Sequence, residues 1–161
     1  DERETRGWNW ARGEVSMATV NIQYPEDKNN YITIDIYQSR SRMEPKIIDG
    51  KPSVKIKVEV DAYFQNFTRP SVIKSTSPLL QSMKNRLAQV VINDIEMGIH
   101  KSQKSKADVF GFESLFYRKK YKEWKKREGE WRDILTNIPV EIEVEANIRR
   151  AGLSTKGVSP R

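Results

Sequence analysis

The chain has 161 residues, no cysteine and a net charge of +7, with 37% hydrophobic and 32% charged residues. The absence of cysteine excludes a disulfide framework and a Cys-ligated metal site, and no stretch approaches the roughly 20 apolar residues of a membrane-spanning helix. This length suits one domain that buries about two-thirds of its unfolded surface; residues 1–153 are assigned to it and 154–161 to a flexible tail. The first residues, 1-DERETRGWNW-10, are charged where a secretory signal is apolar, and they read as the middle of a longer chain.

In chain order, 15-VSMATVNIQY-24 is a weak strand whose apolar parity switches between Met17 and Ala18, which predicts a bulge there or an edge position. The segment 31-YITIDIYQ-38 alternates through Ile32, Ile34 and Ile36. In 54-VKIKVEVDAYF-64, Val54, Ile56, Val58, Val60, Ala62 and Phe64 share one face, the signature of a long half-buried strand. Turn signals at 25-PEDKNN-30 and 49-DGKP-52 separate these strands into an antiparallel meander.

The period then changes to 3.6. Ser77 as N-cap and Pro78 at the first helical position open an amphipathic helix of about 25 residues carrying Leu80, Met83, Leu87, Val91 and Ile95. It is expected to fray into 101-KSQKSKA-107. Asp108 is a plausible N-cap for a short helix through residue 120. A further helix over 121–135 puts Trp124, Trp131 and Leu135 near one side, and Gly129 either weakens it, by up to about 1 kcal/mol relative to Ala, or breaks it in two. After 136-TNIP-139, alternation returns in 140-VEIEVEANIRR-150 with an acidic outer face of Glu141, Glu143 and Glu145. The strand at 54–64 begins with a basic outer face, Lys55 and Lys57. Opposite charges favour cross-strand neighbours by a few tenths of a kcal/mol per pair, about 0.2–1, so the last strand is placed beside 54–64. The expectation is an α+β domain: an antiparallel sheet of about four strands, with the long helix and two shorter helices packed on one face.

Signals for catalysis are poor. His100 stands alone near a helix end, where the dipole favours it, and the glutamate row of the last strand reads as a solvated face. No nucleotide, hydrolase or metalloprotease motif occurs, so no cofactor or metal is expected, and a cell-wall hydrolase ranks far behind a binding role. The informative stretch is 107-ADVFGFESLFYRKKYKEWKKREGEW-131. Residues 118–132 hold eight basic residues against three acidic ones, a net of +5 and most of the chain's excess. Such a concentration implies an anionic partner. Helical spacing assigns Phe112, Phe116, Trp124 and Trp131 to the core and leaves Tyr117 and Tyr121 more open. The candidate contact surface is Arg118, Lys119, Lys120, Lys122, Lys125, Lys126 and Arg127. One reading of it is nucleic-acid binding, with cations tracking phosphates and aromatics stacking bases.

The same stretch, followed by 140-VEIEVEANIRRAGL-153, resembles the C-terminal domain of the C subunit of spore germinant receptors, the Ger(x)C lipoproteins. The likeness is carried by Ala107, Asp108, Phe110, Gly111, Phe112, Phe116, Tyr117, Arg118, Lys119, Trp124, Lys125 and Trp131, then by Ile148, Arg149, Gly152 and Leu153. The segment 46-KIIDGKPSVKIKVEVDA-62 is similar to the family as well. Glu113 and Tyr121 stand where the family often has Gly and Pro, local differences at turns. The resemblance implies a non-enzymatic receptor subunit on the outer face of the inner spore membrane, lipid-anchored through an N-terminal part absent from this chain. It implies the A and B membrane subunits as partners and a role in receptor assembly and germination. The basic face would then meet anionic lipid head groups or an acidic partner surface.

Overall fold

Periodicity alone assigns no element to the first dozen residues, yet Glu2–Arg12 forms a helix, α1. The Asp1 carboxylate accepts from the backbone N–H groups of Arg3 (2.8 Å) and Glu4 (3.1 Å), donors that a helix N-terminus otherwise leaves orphaned. Gly13 closes the helix in the left-handed conformation (φ 67°) and donates to the Trp10 carbonyl at 3.0 Å. The computed structural model describes residues 1–25, 27–64 and 78–150, apart from the side chains of Asp27 and Arg150. The expected cap at Ser77 and the expected tail at 154–161 lie outside the described residues.

Three strands follow as an antiparallel meander: Ala18–Tyr24 (β1), Asp27–Ile48 (β2) and Lys51–Phe64 (β3). Met17 sits just before β1 with φ 52°, so the parity switch there marks the strand's start. The β1–β2 register shifts instead at Gln23/Tyr24. β1 lies at one end of the four-strand order. β2 runs well past residue 38, and its register against β3 shifts at Tyr37. Up to there Ile32, Ile34 and Ile36 are buried, and beyond it Ser39 and Pro45 are. The extra residue flips the alternation and hides the second half of the strand from a period-two reading. β2 and β3 join through Asp49 and Gly50, both at positive φ (51° and 73°), as a two-residue hairpin turn demands.

The long helix α2 spans Pro78–Ser105, 28 residues, and does not fray at Lys101. Phe112–Lys119 (α3), Tyr121–Lys125 (α4) and Trp131–Leu135 (α5) follow. Gly129, at φ 90°, separates the last two, so the helix expected over 121–135 is broken. The final strand, Val140–Arg150 (β4), lies beside β3 with Lys55 opposite Glu141 and Lys57 opposite Glu143. The neighbour and the charge pairing are as expected, but the direction corrects the expectation. β4 is parallel to β3, and the sheet is mixed, in the order β1-β2-β3-β4.

The path of α2 explains the direction. Near its start, Arg86 donates to the Gln23 side chain (3.0 Å), and near its end Gln103 donates to the Ile138 carbonyl (3.0 Å). The helix is about 42 Å long and β3 about 46 Å, so α2 carries the chain from the finish of β3 back to its beginning. β4 must start where β3 starts. The Val54 N–H and Ser53 hydroxyl both donate to Pro139 there. One buried cluster joins Trp10 of α1, the inward residues of β1 to β3, the α2 stripe Leu80–Met83–Leu87–Val91–Ile95, and Phe112, Phe116 and Trp131.

Candidate functional site

The aromatic and basic stretch is organised by Asp108 and Gly111. The Asp108 carboxylate accepts from the backbone N–H of Phe112 (2.8 Å) and of Glu113 (2.9 Å). It therefore caps α3 from four residues ahead, while Gly111 turns the chain at φ 73°. Phe112, Leu115 and Phe116 then point inward and are buried. The Phe116 ring meets Trp131 at 5.0 Å between centroids, and the Trp131 indole donates to the Trp124 carbonyl at 3.1 Å. Phe112, Phe116 and Trp131 are core, as their spacing indicates.

Trp124 is not fully buried. It lies at the rim, where its indole N–H donates to Glu113 (3.3 Å). The break at Gly129 is the reason: residues 124 and 131 belong to different helices and do not share a face. Tyr117 and Tyr121 are each 51% exposed. Tyr117 meets Tyr121 and Trp124 edge-on at 5.5 and 4.9 Å, and Tyr121 stacks with Trp124 at 5.7 Å. These rings pack on one another, which lowers the surface left for stacked bases and makes a nucleic-acid platform a poor fit.

The seven cations are not equivalent. Arg127 is 18% exposed, pairs with Glu123 (3.0 Å) and also donates to the Gly50 carbonyl of the β2–β3 turn. It clamps structure together. Lys126 pairs with Glu123 (2.8 Å) and Lys125 with Glu128. Hydrogen bonds from Lys126 and then Arg127 hold the Glu123 carboxyl below the usual range, and the bond to Glu128 raises Lys125 above its own. Lys119 reaches the Met43 carbonyl (3.3 Å), and Arg118 uses its Nε on the Ser114 carbonyl (3.3 Å). Lys120 and Lys122 are exposed, and their side chains make no hydrogen bond or ion pair among the described residues.

Elsewhere, two of the three glutamates in the β4 row are paired in place. Lys55 Nζ lies 3.0 Å from Glu141 and 2.8 Å from Glu143. His100 is exposed and lines an open cavity of about 820 Å³ with Arg3, Glu96, Lys101 and Lys104. Among the described residues no three His, Asp or Glu side chains gather as a metal site, and no helix is long and apolar enough to cross a membrane.

Asp94 is the residue that periodicity alone misses. It is fully buried and accepts from Arg6 Nε (2.6 Å), Arg3 Nε (3.3 Å) and the Trp10 indole (3.3 Å). Its signal was present: three residues after Val91, Asp94 falls on the apolar stripe of α2, and a carboxylate there demands partners.

Over residues 1–152 the chain matches the family described as Spore germination B3/ GerAC like, C-terminal. The chain belongs to this family. The resemblance read from 107–131 and the last strand is thereby borne out, and this is a Ger(x)C C-terminal domain. Two relatives come from Bacillus subtilis (strain 168). Spore germination protein KC is 24% identical over 154 residues, covering 95% of this chain and 37% of its own length. Spore germination protein B3 is 22% identical over 150 residues, covering 92% and 39%. The solved crystal structure of the GerBC protein superposes with a TM-score of 0.75 at 22% identity, over 90% of this chain and 44% of the other. At that identity the likeness establishes the fold, and the chain spans less than half the length of each relative.

Proposed function

We propose that this Ger(x)C domain is the C-terminal interaction domain of a non-catalytic germinant-receptor subunit, contributing to receptor assembly and spore germination. Its partners are the A and B membrane subunits. It works at the outer face of the inner spore membrane, tethered by a lipid on an N-terminal part beyond this chain. Family membership across residues 1–152 and the germination names of both relatives support this reading. Its architectural part, a long helix and shorter helices covering one sheet face, is supported by the alternating burial along β3.

The contact surface is the basic face from Arg118 to Arg127, directed at an anionic partner. The observation that carries it is the exposed cationic group Arg118, Lys120 and Lys122, which has no acid paired to it among the described residues. Reversal of Lys125 or Lys126 would set like charges beside Glu128 or Glu123 and disturb α4 itself. Lys120→Glu with Lys122→Glu is the cleaner test. Spores whose C subunit carries both changes are expected to accumulate the subunit normally and to respond poorly to nutrient. A normal nutrient response would reject this surface.

A further inference from the structure

Tyr117, Tyr121 and Trp124 form one contiguous ring cluster where α3 meets α4, and within 117-YRKKYK-122 four cations stand beside the two tyrosines. We propose that this cluster, with Arg118, Lys120 and Lys122, is a membrane-interface contact that seats the domain on an anionic bilayer surface. The proposal rests on the reading of the basic face given above and commits that face to a lipid partner.

Three observations carry it. First, the rings are two exposed tyrosines and a partly buried tryptophan, residue types that combine an apolar body with a polar tip and sit at the head-group level of membranes. Second, Glu123 and Glu128 are already paired with cations of their own. Glu123 holds Lys126 and Arg127, Glu128 holds Lys125, and Glu113 accepts from Trp124. Of the four remaining cations, Lys119 turns to the Met43 carbonyl, while Arg118, Lys120 and Lys122 present charge unpaired with any acid among the described residues, complementary to anionic head groups.

The third is area. A whole aromatic side chain buries about 150–250 Å². Two tyrosines at 51% exposure and one partly buried tryptophan offer roughly 200–300 Å². A stable protein partner needs about 800 Å² per side. A bilayer sets no such minimum, because shallow apolar insertion and head-group electrostatics add.

The test is co-flotation of the full 161-residue chain with vesicles of phosphatidylcholine containing about one-third phosphatidylglycerol, at low and at about 0.15 M salt. The chain should float with these vesicles and not with pure phosphatidylcholine. Lys120→Glu with Lys122→Glu should lower binding at least about tenfold. Tyr117→Ser with Tyr121→Ser should lower it about tenfold while leaving its salt dependence unchanged. Circular dichroism should show both variants folded; the lysine pair, whose side chains bond no described partner, decides the matter if the tyrosine pair does not fold. No flotation at low salt, or equal flotation of wild type and the lysine variant, overturns the proposal. Poor germination of the lysine variant together with a wild type that ignores vesicles assigns the patch to an acidic protein, overturning the lipid contact and leaving the basic-face reading intact. Lost flotation with normal germination does the reverse.

Discussion

The Asp94 carboxylate is fully buried, while Arg3 is 53% and Arg6 26% exposed. A buried charge is tolerable only when paired, so the members of this group are unequal. Removing the carboxylate frees two arginines that can turn toward water. Removing Arg6 leaves a buried charge with the weaker Arg3 and indole bonds. Arg6→Ala is therefore expected to cost about 3 kcal/mol and Asp94→Asn about 1–2 kcal/mol, read from urea unfolding midpoints at neutral pH. The opposite ranking would show that Asp94 does not depend on its pairing. At this scale the sequence was partly legible. Asp94's place on the stripe was visible, but its partners lie some 90 positions away in a helix that periodicity did not reveal.

Between elements, close approach and charge ladders decide the packing. At Gly7 a Cβ would lie 2.0 Å from the Asp94 carbonyl oxygen, and at Gly98 3.3 Å from that of Glu4. These two glycines let α1 and α2 meet backbone to backbone. Between β3 and β4, Lys55 bridges Glu141 and Glu143 and holds the Glu143 carboxyl below its ordinary value of 4.5. A carboxylate whose folded pKa is lowered adds stability that is fully present above its unfolded pKa and is lost as the pH falls through the lowered value. The acid limb of thermal stability should thus steepen below about pH 4.5. Glu143→Gln should flatten it, with little change at pH 7 beyond that of an exposed pair. Melting curves from pH 6 to pH 3 measure this, and an unaltered acid limb in the variant would remove the bridge from the account. The pairing itself was legible, since strands with basic and acidic outer faces attract. The direction was not, because a period-two ladder matches Lys to Glu in either orientation.

For the whole molecule, α1 is part of the core and not an appendage. Trp10 and Ala11 are buried with the sheet and α2, and the Ser39 hydroxyl donates to the Val15 carbonyl (2.8 Å) and accepts from the Val15 N–H (3.1 Å), fixing the segment after α1 to β2. Loss of a buried tryptophan alone costs about 3–5 kcal/mol. A chain lacking residues 1–13 should melt at least about 10 °C lower, or without a cooperative transition. Scanning calorimetry reads this directly, and an unchanged midpoint would make α1 a separate unit.

Alternation and helical spacing, by themselves, determined most strands and the long helix, though not α1 or the second half of β2, and with them which strands neighbour one another, the core roles of Phe112, Phe116 and Trp131, and the basic stretch itself. These follow from local geometry, because a side chain's face is set by its own backbone period. The tertiary structure alone decided that β4 runs parallel to β3, that Trp124 stays at the rim, and that Lys125, Lys126 and Arg127 are paired with acids while Arg118, Lys119, Lys120 and Lys122 are not. Each of these depends on where a turn sends the chain or on which groups arrive from elsewhere. α2 returns to the start of β3, Gly129 redirects the helix, and Glu123, Glu128 and the carbonyl of Gly50 claim particular cations.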